Sequence, residues 1–291
     1  MDKKFSILLV VLFLFNPINA EITLCDLDEI NAVHKLINYT WNAPVVPRIA
    51  IKKMPEGIKD LSTKKRIRFL VRVLMPMILM ENEKIQKEHD FVMSVATKEN
   101  WNDGDIKVIE QIAVKYWIIN ESKELSSATE DEKNEIRYFL DHRIRPVPPS
   151  IAVGQAALES GWGTSRFVFE GNNIFGHAEK KPENGLKPKN WSGKQRNIRV
   201  FESLQDSISA YMLNLNRNRA YRKFRWLRRA YSNDTLKIAE GFGNYAIIKE
   251  EYIRRLQLIM TKYGLFKLNA SKLDDNGSDK IFEKIKQAYI N

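Results

Sequence analysis

Apolar residues recur at intervals of three and four along most of this chain, and that spacing predicts helices. Charged helical segments with breaks near residues 102–104 and 126–127 are predicted for residues 82–140. Prolines mark residues 43–57 and 146–149 as connections. The clearest helical patterns span residues 26–38, 62–80, 204–215 and 250–263.

Residues 177–201 interrupt the helical pattern. The segment is polar, contains the turn pair Asn184-Gly185 and ends in an alternating run at residues 197–201. These features predict a small, irregular β-hairpin lobe. The sequence therefore predicts an α+β fold that is predominantly α.

The first 20 residues have the organisation of a secretory signal peptide. Lys3 and Lys4 precede an apolar run at residues 7–15, and Ala20 offers a small residue for cleavage. That run is shorter than the roughly 20 residues of a spanning helix, so no transmembrane segment is expected in the mature chain. Cys25 follows closely, but Leu24 stands where a lipidation site wants a small residue. We expect an unmodified thiol and a protein of the periplasm or cell envelope.

The net charge of the chain indicates which class of partner the protein binds. The 291 residues carry a formal net charge of +11, which points to an anionic partner. For an exported protein, a carboxylate-bearing cell wall or an anionic membrane surface fits better than nucleic acid. The single cysteine excludes an internal disulfide, and the four histidines lack the spacing that holds a metal on one helix face. No metal and no cofactor are predicted.

Candidate chemistry is concentrated at Glu159. An apolar helix should begin near residues 148–149 and end at Gly161 and Gly163, which places Glu159 in its last turn. Unpaired carbonyl groups at a helix end disfavour a carboxylate, so the pKa of Glu159 should be raised. A carboxylic acid with a raised pKa beside an indole, here Trp162, is typical of the general acid of glycosidases. The alternative is an ordinary solvated glutamate.

Two consecutive motifs carry a family resemblance. Residues 159–165 (ESGWGTS) and 171–176 (GNNIFG) resemble the signature of the bacterial peptidoglycan glucosaminidases, which include the flagellar peptidoglycan hydrolases. More narrowly, they resemble the Bax-like envelope proteins. The resemblance extends over residues 146–150, 199–207 and 214–221, with weaker similarity at residues 55–85.

The resemblance implies an exported peptidoglycan hydrolase that cuts glycan strands next to N-acetylglucosamine. It also implies a lysozyme-like catalytic domain preceded by a helical region. The expected organisation is a signal peptide (1–20), an N-terminal helical region (21–145), a glucosaminidase domain (146–268) and a C-terminal tail (269–291).

Site residues follow from the same resemblance. Glu159 would donate the proton, and the second catalytic group would be Glu179, Glu183, Glu202 or the substrate's own N-acetyl group. Tyr245 would lie at the floor of the cleft. The expected substrate contacts are Trp162, Asn172, Asn173, Phe175, Tyr211 and Tyr252.

Two alternatives remain open at this stage. A lytic transglycosylase would also use one glutamate after a helix, but its usual Gly-Leu-Met-Gln loop is replaced by residues 172–176. A non-catalytic envelope protein could bind glycan through residues 217–231, which hold seven Lys or Arg residues, four aromatic residues and no acid. An amidase is less favoured, because the chain offers no metal triad and no Cys/His pair.

Overall fold

The computed structural model describes residues 20–22, 26–181, 183–189, 196–243, 245 and 249–275. Most of the predicted signal peptide, Cys25 and the end of the tail lie outside the described residues. The predictions made for them therefore stay predictions.

The described part of the chain is mostly helical, as predicted. Short 3₁₀ turns lie at Glu56–Asp60, Arg219–Tyr221, Glu240–Phe242 and Leu265–Ala270. The α-helices in these ranges are α1 (Leu27–Leu36), α2 (Thr63–Ala96), α3 (Asp103–Lys115), α4 (Glu130–Arg143), α5 (Pro149–Ser160), α6 (Arg166–Gly171), α7 (Leu204–Arg217), α8 (Arg222–Ala230), α9 (Thr235–Ala239) and α10 (Lys249–Lys262).

Side-chain caps explain where several helices begin. Asn102 and Asp105 form a reciprocal capping box at the start of α3, and Thr129 and Glu132 form another at the start of α4. Helix α3 starts within the predicted break at residues 102–104, and α4 starts shortly after the predicted break at residues 126–127, so both breaks are confirmed. Helix α2 runs without a break from the pattern that begins at residue 62 into the charged helical residues predicted after residue 82.

Short strands form two parallel pairs in the described residues. Strand β1 (Ala20–Ile22) pairs with β3 (Ile49–Ile51), and β2 (Val45–Val46) pairs with β4 (Lys272–Leu273). The prediction that residues 43–57 are only a connection was therefore wrong. Strands of two or three residues are too short to show an alternating pattern, and each finds its partner far away in sequence.

Residues 177–201 contain the predicted antiparallel pairing in reduced form. Ala178 and Leu186 each form an isolated antiparallel bridge with Ile198. The backbone groups of Leu186 and Ile198 exchange two hydrogen bonds of 2.8 Å each. Gly185 takes a φ of 84° at the predicted turn. The described residues of this lobe thus make bridges, and they do not form continuous strands.

The chain divides into two compact units. The first unit comprises the described residues of Met1–Met77, Glu159–Ser207 and Ser271–Asn291. Its buried core draws on α1, β3, the first half of α2 and the segment after α5, with Ile30, Ile51, Leu70, Val168 and Phe201 among its members.

The second unit comprises Ile78–Leu158 and Ile208–Ala270. Its buried core includes Ile109, Leu140, Val153, Phe224 and Leu256. Among the described residues of the two units, no helix is both long enough and apolar enough to cross a membrane. The domain boundaries expected at residues 20, 145 and 268 stay predictions.

Candidate active site

Glu159 lies in the last turn of α5, as predicted, and its side chain is partly exposed. The helix ends because the next residues leave the helical conformation. Gly161, Trp162 and Gly163 have φ angles of 57°, 59° and 80°. This left-handed conformation is open to glycine but uncommon for other residues, so Trp162 is held there by its surroundings. The predicted stop at the two glycines is confirmed.

Ser160 fixes the reversal that follows Glu159. Its fully buried side-chain oxygen accepts a hydrogen bond of 2.8 Å from the Gly163 backbone N–H. Its carbonyl oxygen accepts from the N–H groups of Thr164 and Ser165 at 3.0 and 2.9 Å. The orphan carbonyl at the end of α5 is thereby satisfied, which anchors the end of the turn that carries Glu159.

Gly163 is required by close packing as well as by its φ angle. A methyl group built on Gly163 would lie 3.2 Å from the terminal side-chain carbons of Ile58 and Leu70. The backbone therefore approaches the core of the first unit at a distance that leaves little room for a side chain.

Gly176 lies directly against the Glu159 carboxyl group. A methyl group built on Gly176 would be 3.6 Å from Glu159 Oε2, and Gly176 has a φ of 67°. The chain after α6 therefore returns to Glu159 at Gly176. Because residue 176 is a glycine, it places no side chain of its own next to this carboxyl oxygen.

Asn173 holds that turn in place. Its Nδ2 group donates to the carbonyl oxygens of His177 and Arg199 at 2.9 and 2.8 Å, and its Oδ1 accepts from the His177 N–H at 2.9 Å. The side chain is 2% exposed. Three hydrogen bonds from one buried amide thus close the loop that contains Gly176.

Asn172 has a related positioning role. It ends α6 with a left-handed φ of 50°, and its Nδ2 donates to the carbonyl oxygens of Phe201 and Glu202 at 3.0 and 3.1 Å. Asn172, Asn173 and Phe175 are all buried. Their predicted contact with substrate stays a prediction, and the positioning role was missed. A pair of asparagines directly after a helix signals it, since asparagine tolerates the left-handed conformation.

The three candidates for a second carboxylate lie in the first unit. Glu179 Oε1 accepts hydrogen bonds from the backbone N–H groups of Lys180 and Lys181 at 2.8 and 3.2 Å. These bonds, that of Lys181 first, hold the pKa of Glu179 below its usual value. Glu183 and Glu202 are exposed. All three stay predicted candidates for the second catalytic group.

The predicted tyrosines lie in the second unit and are linked through Gln155. The Tyr211 hydroxyl donates to Gln155 Oε1 at 2.5 Å, and Gln155 Nε2 donates to the Tyr252 hydroxyl at 2.8 Å. The Tyr252 ring stacks on Tyr245 with centroids 5.1 Å apart. Tyr211 and Tyr252 are 1% and 8% exposed, which leaves them little surface for a ligand.

Gln155 was missed as an organising residue. It is fully buried in α5 and bonds to two phenol groups. The sequence carries a signal for it, because Gln155 is the one polar side chain in the apolar run at residues 151–158. A buried amide must find partners for its donors and acceptors, so such a residue points to a polar network.

The basic segment 217–231 is used largely inside the second unit. Arg225 donates to the carbonyl oxygen of Leu215, and Arg228 donates to the carbonyl oxygen of Arg145, each at 2.8 Å. Both guanidinium groups are buried, whereas Trp226 is 55% exposed. Part of the charge expected on a glycan-binding surface is therefore bound to backbone carbonyl groups.

Comparison with known proteins gives a family match over a range that includes Glu159. Residues 142–265 match the family model Glucosaminidase, described as mannosyl-glycoprotein endo-beta-N-acetylglucosaminidase. These residues form a glucosaminidase-family segment. The resemblance predicted from the motifs is confirmed.

The chain is also similar to a named protein. The chain is 31% identical over 175 residues to protein Bax of Escherichia coli (strain K12), which is 60% of this chain and 57% of Bax. The match thus spans less than two thirds of the length of Bax. No solved structure matches the protein. In the described residues, no group of three or more His, Cys, Asp or Glu side chains could hold a metal ion.

Proposed function

We propose that the protein is an exported peptidoglycan hydrolase that cleaves glycosidic bonds next to N-acetylglucosamine, with Glu159 as the general acid. The observation that carries this proposal is the position of Glu159. It lies inside the glucosaminidase-family segment, in the last turn of α5 and against Gly176.

The chemistry needs a protonated acid at a place that a sugar oxygen can reach. The negative end of the α5 helix dipole lies at its last turn and disfavours a carboxylate there, so a carboxyl group in that turn should hold its proton more strongly. Glycine at position 176 places no side chain of its own against Glu159 Oε2. A leaving glycosidic oxygen could then approach to the roughly 2.6–3.2 Å that proton transfer requires.

The second role requires a base for water or a group that stabilises the oxocarbenium-like centre. Glu179, Glu183, Glu202 and the substrate's N-acetyl group are the candidates. Hydrogen bonds from backbone N–H groups keep Glu179 ionised, which suits a carboxylate that stabilises positive charge. The family resemblance alone supports Trp162 as a substrate contact and Tyr245 as a group that orients substrate or water.

We also propose that the protein has a lysozyme-like fold and is exported to the periplasm or cell envelope. A lysozyme-like architecture is supported by an acid at the end of α5 followed by a segment with antiparallel bridges at Ala178, Leu186 and Ile198. Export to the periplasm or cell envelope is supported by the sequence of residues 1–20. The proposed partner is the glycan strand of peptidoglycan.

Replacement of Glu159 by glutamine tests the proposal. Glu159→Gln keeps the size of the side chain but removes the proton donor. Release of muropeptides from purified sacculi should fall by about 10² to 10⁴. Glu250→Gln, an exposed change within the same family segment, should leave release unaltered. Undiminished release by a folded Glu159→Gln protein would refute the assignment.

The products of the same digestion decide the reaction type. A hydrolase leaves a new reducing sugar at N-acetylglucosamine, whereas a lytic transglycosylase leaves an anhydro product that mass spectrometry detects. Binding of the wild-type protein to sacculi without any release would favour a non-catalytic glycan-binding protein.

A further inference from the structure

A cavity of about 530 Å³ lies in the first unit, among residues of α1, the loop after it and the first half of α2. That volume falls in the range of sites for small ligands. No residue of the proposed catalytic site lies in this part of the chain. Its lining is formed by Leu27, Asp28, Asn31, Tyr39, Thr40, Trp41, Leu61, Lys65, Arg68, Phe69 and Arg72.

Three cations of α2 line the cavity at helical spacing. Lys65, Arg68 and Arg72 follow one another at intervals of three and four, so they lie on one face of the helix. In the described part of the chain, Lys65 and Arg68 are exposed and make neither a hydrogen bond nor an ion pair. Asp28 is the one acidic residue in the lining. The cavity therefore has a cationic excess that no side chain of the described protein neutralises.

Arg72 is the fixed member of this set. Its Nη2 group donates to Asn31 Oδ1 at 2.8 Å, and its guanidinium lies 5.8 Å from the centre of the Phe69 ring. A guanidinium that is already held in place loses little freedom when it binds a carboxylate. Arg72 is thus prepared to receive an anionic group.

Tyr39 adds an independent indication of a ligand. It lines the cavity, is 5% exposed, and its buried hydroxyl has no hydrogen-bond partner among the described residues. Buried polar groups in folded proteins nearly always have a partner, so such an exception needs an explanation. An oxygen atom of a bound ligand would provide an acceptor for this hydroxyl.

We infer that this cavity binds a short acidic peptide that carries several carboxylates and one ammonium group. The three cations would receive the carboxylates, Asp28 would receive the ammonium group, and the half-buried Trp41 ring would contact the apolar parts of the peptide. An inorganic anion would use the charges but not the Trp41 ring. The source of the peptide rests on the proposed function, since the peptides that substitute peptidoglycan glycan strands have this chemistry.

The probe is N-acetyl-alanyl-γ-glutamyl-diaminopimelyl-alanine, which has three carboxylates and one ammonium group. Isothermal titration calorimetry of the full chain in the Glu159→Gln form should give one binding site. The same peptide with all three carboxylates amidated should not bind. Equal binding of the two peptides, or no binding of the first, would overturn the inference.

A pair of charge-matched double variants locates the site. Lys65→Gln/Arg68→Gln should weaken binding about tenfold, since each exposed ion pair contributes up to about fivefold. Lys53→Gln/Lys64→Gln removes two exposed charges that do not line the cavity and should leave the affinity unchanged. Equal weakening by both double variants would mean attraction by net charge alone and would contradict a built site.

Inorganic phosphate serves as the competing anion. The peptide should bind in the presence of phosphate at equal concentration, and full displacement would reduce the cavity to a general anion site and overturn the peptide assignment. These binding results do not depend on whether the protein cleaves glycan strands. Peptide affinity is measured with the Glu159→Gln protein, which lacks the catalytic carboxyl group. Glycan cleavage is measured as the release of muropeptides from sacculi.

Discussion

Replacement of Gly176 by alanine probes the space in front of Glu159. The φ of 67° at this position would cost an alanine about 1–2 kcal/mol in the left-handed conformation. The added methyl group would lie 3.6 Å from Glu159 Oε2, an ordinary contact distance, so no steric overlap adds to that cost. A domain of typical stability, about 5–15 kcal/mol, remains folded after such a loss.

The same methyl group should nevertheless impair catalysis. Proton transfer needs the acid and the leaving oxygen at roughly 2.6–3.2 Å, and a methyl group in contact with Glu159 Oε2 occupies one approach to it. Misplacement of reacting atoms by about 1 Å can cost about 10²-fold in rate. We therefore expect Gly176→Ala to lower muropeptide release from sacculi by about that factor.

Gly264→Ala is the matched control. Gly264 has a φ of 61°, close to that of Gly176, and a methyl group built there would have no neighbouring atom within 4 Å. Both variants should lose similar stability in urea titrations, but only Gly176→Ala should lose release. Equal loss of release in the two variants, or unaltered release by Gly176→Ala, would refute the reasoning about Glu159.

Two further predictions concern stability. Arg228→Lys should lower the free energy of unfolding in urea by about 2 kcal/mol, because lysine cannot replace a buried guanidinium that donates to several acceptors, the Arg145 carbonyl among them. Arg222→Lys, at an exposed position, should change that free energy little. Equal effects of the two substitutions would contradict the structural role of Arg228. Burial, and after it the positive charge of Arg72, lowers the pKa of His34 from 6.5 to about 3. Between these two pH values His34 binds a proton in the unfolded state but not in the folded state, so the free energy of unfolding should fall as the pH drops from about 6.5 towards 3. His34→Gln should flatten that fall in urea midpoints compared between about pH 7 and about pH 4, and an unaltered slope would contradict it.

Local signals in the sequence predicted much of the helical structure. Capping residues such as Asn102 and Ser203 mark helix starts by hydrogen bonds within three residues. Gly161 and Gly163 mark the end of α5 by a backbone conformation that few other residues adopt. Both kinds of signal act over a few neighbouring residues, so a sequence pattern suffices to find them. This is why the position of Glu159 at a helix end could be predicted.

Pairings between distant residues could not be predicted in the same way. Val45 and Val46 pair with Lys272 and Leu273, more than two hundred positions along the chain. The network at Gln155 likewise depends on tyrosines from α7 and α10. Such contacts depend on the folded arrangement and leave only indirect marks in the sequence, such as a polar residue in an apolar run.

The basic segment 217–231 gives the clearest case of a pattern with two physical meanings. Seven positive charges without an acid favour a surface that binds an anion, yet Arg228 is buried and donates to the carbonyl oxygens of Arg145 and Pro146. Those carbonyl groups come just before Pro149, where α5 begins. Proline at a helix start leaves the preceding carbonyls in need of donors from elsewhere in the chain. Part of the positive charge in this segment therefore holds the start of α5, the helix whose last turn carries Glu159, and that part of the charge is not available to bind a glycan.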